Sequence, residues 1–431
     1  MPASSLKSGR ATRTTVPASG RRCVSSNHCE APLMTVEHLN DRLERLLSEP
    51  VEAIRQRQHE TLDHLLGGLD KPFILFGAGN LGRKAVKVLQ GMGLRPEAFI
   101  DNNPALWGSE VQGVPVFKPA DYVAQHQGEL PGMIATIWCG EATDRMQDRL
   151  EPLLALGFQR IALFGHLAWR YHESFLPHYS LDLPEKVVAQ AERIRQAYAL
   201  LGDDASRQLF VDHVQWRLFL DYDLLPPASP RAIYFDAAFS NTRADEVVYD
   251  IGAFNGDSVE GYLHSGRPFS QIHSFEPSSA NHAALRATLA ALEGSERFHA
   301  HQKAVGDSSG EIFMEATGGP AARVGSGSER VQVTTLDELA ETIASPTFIK
   351  IDIEGFEPQC LAGGKRLISE RQPLIAVCVY HEQDHLWSIL LQLHGYYPGY
   401  HFSLGPHLAE GWDLVLYAVP ADRLPTLNRA E

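Results

Sequence analysis

The residues best suited to binding a ligand follow an apolar run in the second half of the chain. Residues 247–257 read Val-Val-Tyr-Asp-Ile-Gly-Ala-Phe-Asn-Gly-Asp, so that Asp250 lies near the end of the run and Gly252 and Gly256 form a turn. A second apolar run ends in Glu276. A strand, a glycine turn, a helix and a second strand ending in a carboxylate form half of a nucleoside site, because the glycines admit the ligand and the carboxylate accepts ribose hydroxyls. We therefore predict that Asp250, Gly252, Gly256 and Glu276 bind a cofactor.

The glycine spacing limits which cofactor this turn suits. The turn reads Asp-x-Gly-x-x-x-Gly, whereas dinucleotide sites read Gly-x-Gly-x-x-Gly and hold a pyrophosphate at the next helix. S-adenosylmethionine has no pyrophosphate, so the spacing favours this cofactor. Asp257, at the end of the turn, is predicted either to meet the cofactor's ammonium group or to cap the following helix together with Ser258.

A second group of charged residues lies in residues 348–357, which read Phe-Ile-Lys-Ile-Asp-Ile-Glu-Gly-Phe-Glu. Side chains alternate along a strand, so we expect Lys350, Asp352 and Glu354 on one face. A charged face on a central strand is costly unless it lines a site. Asp352 and Glu354 are therefore predicted to be catalytic, and the structural alternative is a buried ion pair between Lys350 and either acid.

His381 follows the next apolar run, residues 374–380. The carboxyl ends of parallel strands meet at one edge of a sheet, so His381 is expected close to Asp352. Imidazole is a natural base for a substrate hydroxyl near neutral pH. The sequence predicts His381 as a catalytic base that shares this role with Asp352, and a structural histidine is the alternative.

Residues 381–385 also read His-Glu-Gln-Asp-His, which matches the helical motif of zinc peptidases. That mechanism needs both histidines on one face of a helix. Since His381 follows an apolar run typical of a strand, we expect it to be non-helical, and we assign no metal ligand from this motif. A divalent cation that uses Asp352, Glu354 or His381 to hold a diol substrate is the alternative.

The two signatures, together with Leu-Ala-Gly-Gly at 361–364, resemble the FkbM family of S-adenosylmethionine-dependent methyltransferases from about residue 245 to about residue 419. The Lys-Ile-Asp-Ile-Glu-Gly run is the most specific mark of that family. The apolar runs predict strands near Val247, Ile272, His299, Val331, Phe348, Leu374 and Leu414. These seven match the methyltransferase sheet that the resemblance implies, in which the final strand is antiparallel. The resemblance also implies methyl transfer to an oxygen of a sugar, polysaccharide or secondary metabolite, although the residues themselves leave nitrogen open.

The resemblance also bears on Asp307, which ends the run Lys303-Ala-Val-Gly-Asp307. In the family the corresponding run lies near the adenine, so Asp307 is predicted to bind the cofactor. The Ser-Ser-Gly that follows also suits an ordinary turn, which is the alternative.

The first half of the chain contains a complete Gly-x-Gly-x-x-Gly, formed by Gly77, Gly79 and Gly82, with Asp101 about 20 residues later. This motif predicts either a nucleotide site or glycines that only permit tight packing of a helix on a strand. Residues 99–119 resemble the small Rossmann-like domains attached to sugar-modifying enzymes, some of which bind a nucleotide-sugar. The alternative function for the whole chain is therefore a nucleotide-sugar or NAD-binding protein with an inactive methyltransferase-like half.

Apolar spacing and composition divide the chain into five parts. We predict an α/β protein with two Rossmann-like domains joined by a helical connector. The parts are a disordered tail at 1–34 (or a misplaced start, with Met34 as the true one), a helical segment at 35–70, a small βαβ domain at 71–175, a connector or cap at 176–230 and a methyltransferase domain at 231–431.

The composition of the chain limits the classes of partner that it can bind. The 431 residues carry a formal net charge of −15, which disfavours nucleic acid or an anionic membrane and favours a small-molecule or saccharide acceptor. No apolar run is long enough to cross a membrane. The five cysteines are scattered, which predicts a reduced cytoplasmic protein with Cys139 and Cys378 buried as small apolar residues. A homodimer is one further expectation.

Overall fold

The structure, a computed structural model, describes residues 35–138, 145–229, 233–314 and 328–425. The predicted tail at 1–34 and the predicted burial of Cys139 fall outside these residues. Cys378 is buried as predicted. None of the described helices is long and apolar enough to cross a membrane.

The described strands alternate with helices along the chain, as the apolar pattern predicts. The strands are β1 (Phe73–Phe76), β2 (Phe99–Ile100), β3 (Glu110–Val111), β4 (Val114–Phe117), β5 (Gly132–Ala135), β6 (Ile161–Leu163), β7 (Val247–Ile251), β8 (Gln271–Phe275), β9 (Phe298–His301), β10 (Ala304–Val305), β11 (Gly310–Met314), β12 (Glu329–Thr334), β13 (Phe348–Ile351), β14 (Leu374–Cys378), β15 (His401–Pro406) and β16 (Leu414–Val419). The helices are α1 (Val36–Leu47), α2 (Val51–Leu66), α3 (Asn80–Gly91), α4 (Pro119–Gln125), α5 (Met146–Ala155), α6 (Phe164–Arg170), α7 (His172–Phe175), α8 (Glu185–Ala189), α9 (Ala191–Leu200), α10 (Asp204–Phe219), α11 (Asp257–His264), α12 (Ser279–Ala291), α13 (Leu336–Thr342), α14 (Glu357–Ala362), α15 (Lys365–Arg371) and α16 (His385–Tyr396).

The first half of the chain forms a six-stranded sheet in the order β3-β4-β2-β1-β5-β6. All its neighbours are parallel except the β3–β4 pair. Strands β1 and β5 are buried at every residue, which fits parallel strands that are covered on both faces. The two helices that precede this sheet, α1 and α2, are separated by Pro50, as predicted.

The second half forms a seven-stranded sheet in the order β15-β16-β14-β13-β7-β8-β9. Strand β16 runs antiparallel to both of its neighbours, and the other pairs are parallel. The predicted α/β class, the seven-stranded sheet and its closing antiparallel strand are therefore confirmed. Strands β7, β13 and β14 lie at its centre and are buried almost throughout.

One strand was assigned to the wrong sheet. The apolar run near Val331 was expected in the seven-stranded sheet, but β12 pairs with β10 and β11 in a separate three-stranded sheet. Only alternate residues of β12 point inward, as in a sheet with one solvated face, whereas the central strands are buried on both faces. The seventh strand is instead β15.

Candidate active site

A cavity of about 650 Å³ lies beyond the carboxyl ends of β7, β8 and β13. This is the edge at which open α/β sheets bind ligands. Its volume is within the usual range for small-molecule sites. Charged residues line it on two sides; they include Asp257, Glu276, Asp307, Lys350, Asp352, Glu354 and Asp413.

The turn after β7 is held in a conformation that only glycine adopts readily. Gly252 has φ +84°, and a Cβ atom added to it would lie 1.8 Å from the carbonyl oxygen of Asp352. Gly256 has φ +96° at the start of α11. Both glycines therefore serve the backbone path, and of the two only Gly252 lines the cavity.

Asp250 does not line the cavity but forms a buried ion pair beneath it. Its Oδ1 lies 3.1 Å from Lys350 Nζ, and both side chains are only 2% exposed. Ser258 Oγ donates to Asp250 Oδ2 at 2.6 Å, and Lys350 Nζ donates to the Gly252 carbonyl at 2.6 Å. Burial opposes the lysine's charge, but Asp250 and Asp352 outweigh it and raise the pKa of Lys350. The ion-pair partner of Lys350 is thus Asp250 on the neighbouring strand, and not Asp352 or Glu354, which the structural alternative had named.

Glu276 follows β8 at the cavity edge. The amide of Phe254 donates to its Oε2 at 3.1 Å, and the amide of Ser278 donates to its Oε1 at 2.8 Å. The Asn281 side chain also hydrogen-bonds to this carboxylate, so that of its roughly four acceptor positions one is left for a ligand. Burial raises the pKa of Glu276, while these amides and Asn281 oppose the shift.

The two other predicted cofactor residues also line the cavity. Asp257 is the first residue of α11, and its Oδ1 accepts the amide of Ser258 at 2.8 Å. Ser258 itself bonds to Asp250, so the two residues do not act together as a cap. Asp307 is exposed after β10 and accepts a hydrogen bond from the Ser308 hydroxyl at 3.0 Å.

Asp352 and Glu354 lie in a turn rather than on a strand face, which corrects the alternation argument. Strand β13 ends at Ile351, and Glu354 and Gly355 have φ +57° and +107°. The turn nevertheless directs both carboxylates to the cavity. The hydroxyl of Tyr234 donates to Asp352 Oδ2 at 2.7 Å and fixes that side chain.

His381 is fully buried behind these two carboxylates and does not line the cavity. Its Nε2 lies 3.4 Å from Asp352 Oδ1 and 3.9 Å from Glu354 Oε1, and its Nδ1 lies 2.8 Å from Glu357 Oε1. Burial disfavours the charged imidazole, but Glu357 and then the other two acids outweigh it and raise the pKa of His381 to about 9. An imidazolium cannot accept a proton from the substrate at neutral pH. The raised pKa therefore disfavours His381 as the catalytic base, and that role stays a prediction.

Glu357 is the centre of this cluster, and sequence reasoning missed it. Its Oε1 accepts the amides of Ile353 at 2.9 Å and Gly355 at 3.3 Å, so it shapes the turn that carries Asp352 and Glu354. Burial alone would raise its pKa, but His381 and His385 hold the pKa of Glu357 well below its usual range. The zinc-peptidase helix is absent here, because α16 begins only at His385.

Asp413 is a second acid that the sequence analysis missed. It precedes the antiparallel strand β16, whose first residue lies at the same sheet edge as the end of β14. It lines the cavity, and burial, followed by the nearby charge of Asp352, raises the pKa of Asp413 to about 6. The signal in the sequence was an acid directly before the predicted closing strand.

Residues 250–398 match the model of the protein family described as the methyltransferase FkbM domain. The sequence resemblance is therefore confirmed.

Solved structures extend the comparison beyond this domain. The crystal structure of methyltransferase FkbM from Methylobacillus flagellatus KT matches with a TM-score of 0.69 and 19% identity, over 89% of this chain and 98% of that chain. At this identity the match establishes a shared fold. Two further structures match with lower TM-scores. Cofactor-bound Rv0187 from MTB has a TM-score of 0.27 and 16% identity, over 40% of this chain and 72% of that chain. A precorrin-6y C5,15-methyltransferase from Geobacter metallireducens has a TM-score of 0.28 and 14% identity, over 42% of this chain and 82% of that chain. No curated protein sequence matches the chain.

The glycine motif in the first half lies outside the FkbM domain, and it supplies no residue to the large cavity. Gly77 has φ +99°, and a Cβ on Gly82 would lie 2.0 Å from the Gly77 carbonyl oxygen. Asp101 accepts the amides of Ala78 and Asn103, both at 2.7 Å. Gly82 therefore permits close helix–strand packing. Two expectations stay predictions: that a nucleotide binds at Gly77, Gly79 and Gly82, and that this domain resembles those attached to sugar-modifying enzymes.

The helical connector packs on the second sheet. Its apolar stripes on α9 and α10 pack against α16 and β15 of the second sheet. No residue of 176–229 lines the cavity. The apolar faces of these helices are used at the far end of the sheet, and a cap over the cavity entrance stays a prediction.

Proposed function

We propose that this protein is an S-adenosylmethionine-dependent methyltransferase that methylates a hydroxyl group of a sugar, polysaccharide or secondary metabolite. The observation that carries the proposal is a single cavity with two different sides. Glu276 follows β8 on one side of the glycine turn, and Asp352 and Glu354 follow β13 on its other side, where Asp413 also lies. The methyltransferase FkbM domain spans both sides except Asp413.

The first side fits the nucleoside of the cofactor. Glu276 lines the cavity and retains an acceptor position for a ribose hydroxyl, and Gly252 leaves the loop backbone open to the cavity. Asp257 is placed to meet the cofactor's ammonium group, and Asp307 lies beside Val305 and Gly306 where the adenine is expected. When bound, this cofactor supplies the methyl group and leaves as S-adenosylhomocysteine.

The second side fits an acceptor that donates hydrogen bonds. Asp352 and Glu354 present carboxylate oxygens, which bind hydroxyl groups of a saccharide and orient the reacting oxygen. Asp413 is the group that we assign to take the hydroxyl proton, since it lines the cavity and His381 does not. His381 then acts as a positioning residue for Asp352 and Glu354.

The partners follow from the same reasoning. The formal net charge of −15 and the acidic acceptor side suit a neutral, hydroxyl-rich molecule rather than a nucleic acid. A homodimer and a cytoplasmic location stay expectations from the sequence.

Isothermal titration of the full chain with S-adenosylhomocysteine tests the proposal, with Glu276→Ala as the variant. We expect saturable binding to the wild type and a marked loss of affinity in the variant. Glu311→Gln is a matched control, because Glu311 is an exposed acid of the same cavity lining whose carboxylate is engaged by Arg330 on β12. Absence of binding to the wild type would contradict the proposal, and a full-affinity Glu276→Ala would remove the ribose role. Methyl transfer to a panel of sugars and their amino analogues then decides between oxygen and nitrogen.

A further inference from the structure

The loop between β15 and β16, residues 407–413, carries Asp413, the acid that we assign to take the hydroxyl proton. Three of its last four residues have a backbone φ in the left-handed region: Glu410 at +61°, Gly411 at +85° and Asp413 at +51°. A non-glycine residue in this region costs about 1–3 kcal/mol and persists only where the surrounding structure determines it. The contacts of the 407–413 loop therefore explain how Asp413 reaches the cavity.

Glu410 connects this loop to the first half of the chain. Its side chain is buried, and its carboxylate accepts the backbone amide of Met146, the first residue of α5. A carboxylate at the start of a helix is also stabilised by the helix dipole. The amide of Glu410 donates to the carbonyl of Pro226 at 3.2 Å. Glu410 is thus held through both its side chain and its main chain.

The two residues after Glu410 are held by the same parts of the chain. A Cβ atom added to Gly411 would lie 2.2 Å from Cε1 of His213, so the loop backbone lies directly against α10. The ring of Trp412 meets the ring of Trp138 edge to face, with centroids 5.6 Å apart. These contacts come from the first half and from the helical connector, both of which precede the residues that match the FkbM family.

We propose that Glu410 is a positioning residue through which the first half of the chain holds Asp413 at the acceptor side of the cavity. The family match ends before both acids, so this part of the acceptor side is completed from outside it. On the cavity side, the Tyr380 side chain also hydrogen-bonds to Asp413. What Asp413 does rests on the proposed function, whereas how it is held does not.

The position of Asp413 also sets how readily it binds a proton. Burial, followed by the charge of Asp352, raises its pKa to about 6, while Tyr380, His381 and Lys350 oppose the rise. The ionised carboxylate is the base, so turnover should fall as the pH falls through about 6. If the 407–413 loop is released, Asp413 loses burial and its pKa moves down towards the ordinary value. The acidic limb of the turnover profile should then move to lower pH.

The test compares Glu410→Ala with Glu410→Gln in the full chain, because glutamine keeps an oxygen that accepts the Met146 amide. In Glu410→Ala, amide exchange of the 407–413 loop, measured by mass spectrometry, should be about tenfold faster or more. Turnover on the sugar of the panel that is methylated fastest should fall about tenfold or more, and its acidic limb should move to lower pH. Affinity for S-adenosylhomocysteine should stay within about twofold, and Glu410→Gln should resemble the wild type in every measurement.

Two further variants separate positioning from general stability. Gln58→Ala removes a buried side chain of the first half that donates to the Trp169 carbonyl at 3.2 Å, so it should lower the melting temperature and leave loop exchange and the acidic limb unchanged. Trp138→Leu removes the contact with Trp412 from the first half and should speed loop exchange although Glu410 is intact. Trp138→Leu also carries the test if Glu410→Ala does not fold.

Unchanged loop exchange in Glu410→Ala and Trp138→Leu overturns the proposal. An acidic limb that moves equally in Glu410→Gln also overturns it, because the charge rather than the contact would then be responsible. The same shift in Gln58→Ala would assign the effect to stability alone. The proposed function fails separately, through absent binding of S-adenosylhomocysteine or absent methylation of every sugar. In that case loop exchange still decides whether Glu410 holds the 407–413 loop.

Discussion

The two halves of this protein contain the same glycine-turn framework, yet among the described residues only the turn of the second half lines the cavity of about 650 Å³. In the first half, the amide of Ala78 donates to Asp101, which also accepts the amide two residues after itself. In the second half, Phe254 and Glu276 repeat this arrangement. A strand, a glycine with positive φ and a bonded acid are therefore not sufficient to form such a cavity.

The two halves differ at the end of the strand that pairs with the strand before the glycine turn, which is β5 in the first half and β13 in the second. Thr136 follows β5 and Asp352 follows β13, and each donates its amide to the strand that carries the glycine turn. After Thr136 come Ile137 and Trp138, and the Trp138 ring packs on His178 and Trp412. After Asp352 comes a turn that directs carboxylates into open space. The neighbouring strand thus decides whether the same framework serves packing or chemistry.

The largest effect is expected from replacing the first glycine of each turn. In Gly252→Ala, the new Cβ meets the carbonyl oxygen of Asp352, and in Gly77→Ala it meets the side chain of Ile137 at 2.4 Å. Since both positions also have positive φ, each change should lower the free energy of unfolding by about 2–4 kcal/mol. Only Gly252→Ala should abolish binding of S-adenosylhomocysteine, measured by calorimetry below the melting temperature. Loss of binding in both variants would break the comparison.

The next largest effect is expected from replacing the acid that accepts the amide of each glycine turn, Glu276 in the second half and Asp101 in the first. Glu276→Gln removes a charged acceptor, and a hydrogen bond to a charged group contributes about 1.5–3 kcal/mol, so S-adenosylhomocysteine affinity should fall about 10- to 100-fold. Asp101→Asn makes the same chemical change in the first half and should leave that affinity within about twofold, while it lowers the melting temperature. An equal loss of affinity in Asp101→Asn would mean that the two halves are coupled.

A third pair of variants changes the residues that follow the neighbouring strands, Asp352 after β13 and Thr136 after β5. Asp352→Asn should lower turnover about tenfold or more and leave S-adenosylhomocysteine affinity nearly unchanged, because Asp352 lies on the acceptor side. Thr136→Val removes a hydroxyl that bonds to the carbonyls of Phe76 and Gly77, so its effect should be on stability alone, by about 1 kcal/mol. Kinetics with saturating cofactor and thermal melts distinguish these outcomes. Full turnover in Asp352→Asn would remove the acceptor role of this residue.

The sequence was most informative where local pattern and topology agree. The glycine turns, the central strands and the closing strand β16 follow from apolar runs and turn residues, and they place Glu276 and Asp352 at one edge. Strand alternation failed beyond Ile351 because Gly355 allows a turn that periodicity does not show. Asp413 and Tyr234 were missed because they reach the site from an antiparallel strand and from a distant loop, so their proximity is set by tertiary packing.

The smallest effect is expected at Gly79, where the dinucleotide prediction is tested most sharply. Its φ is −73° and a Cβ there meets nothing within 4 Å, so alanine fits without strain. Alanine restricts the unfolded chain more than glycine does, which stabilises the fold by about 0.4–1 kcal/mol. Alanine is also a poorer residue than glycine just before a helix such as α3, which destabilises the fold by a similar amount. Gly79→Ala should therefore leave the melting temperature nearly unchanged. A pyrophosphate that needs close backbone approach would, however, be displaced by the new methyl group. Titration of the full chain with NAD should show no binding in either form, because the neighbouring strand end carries apolar residues. Binding that is lost in Gly79→Ala would show instead that the first framework is also a ligand site.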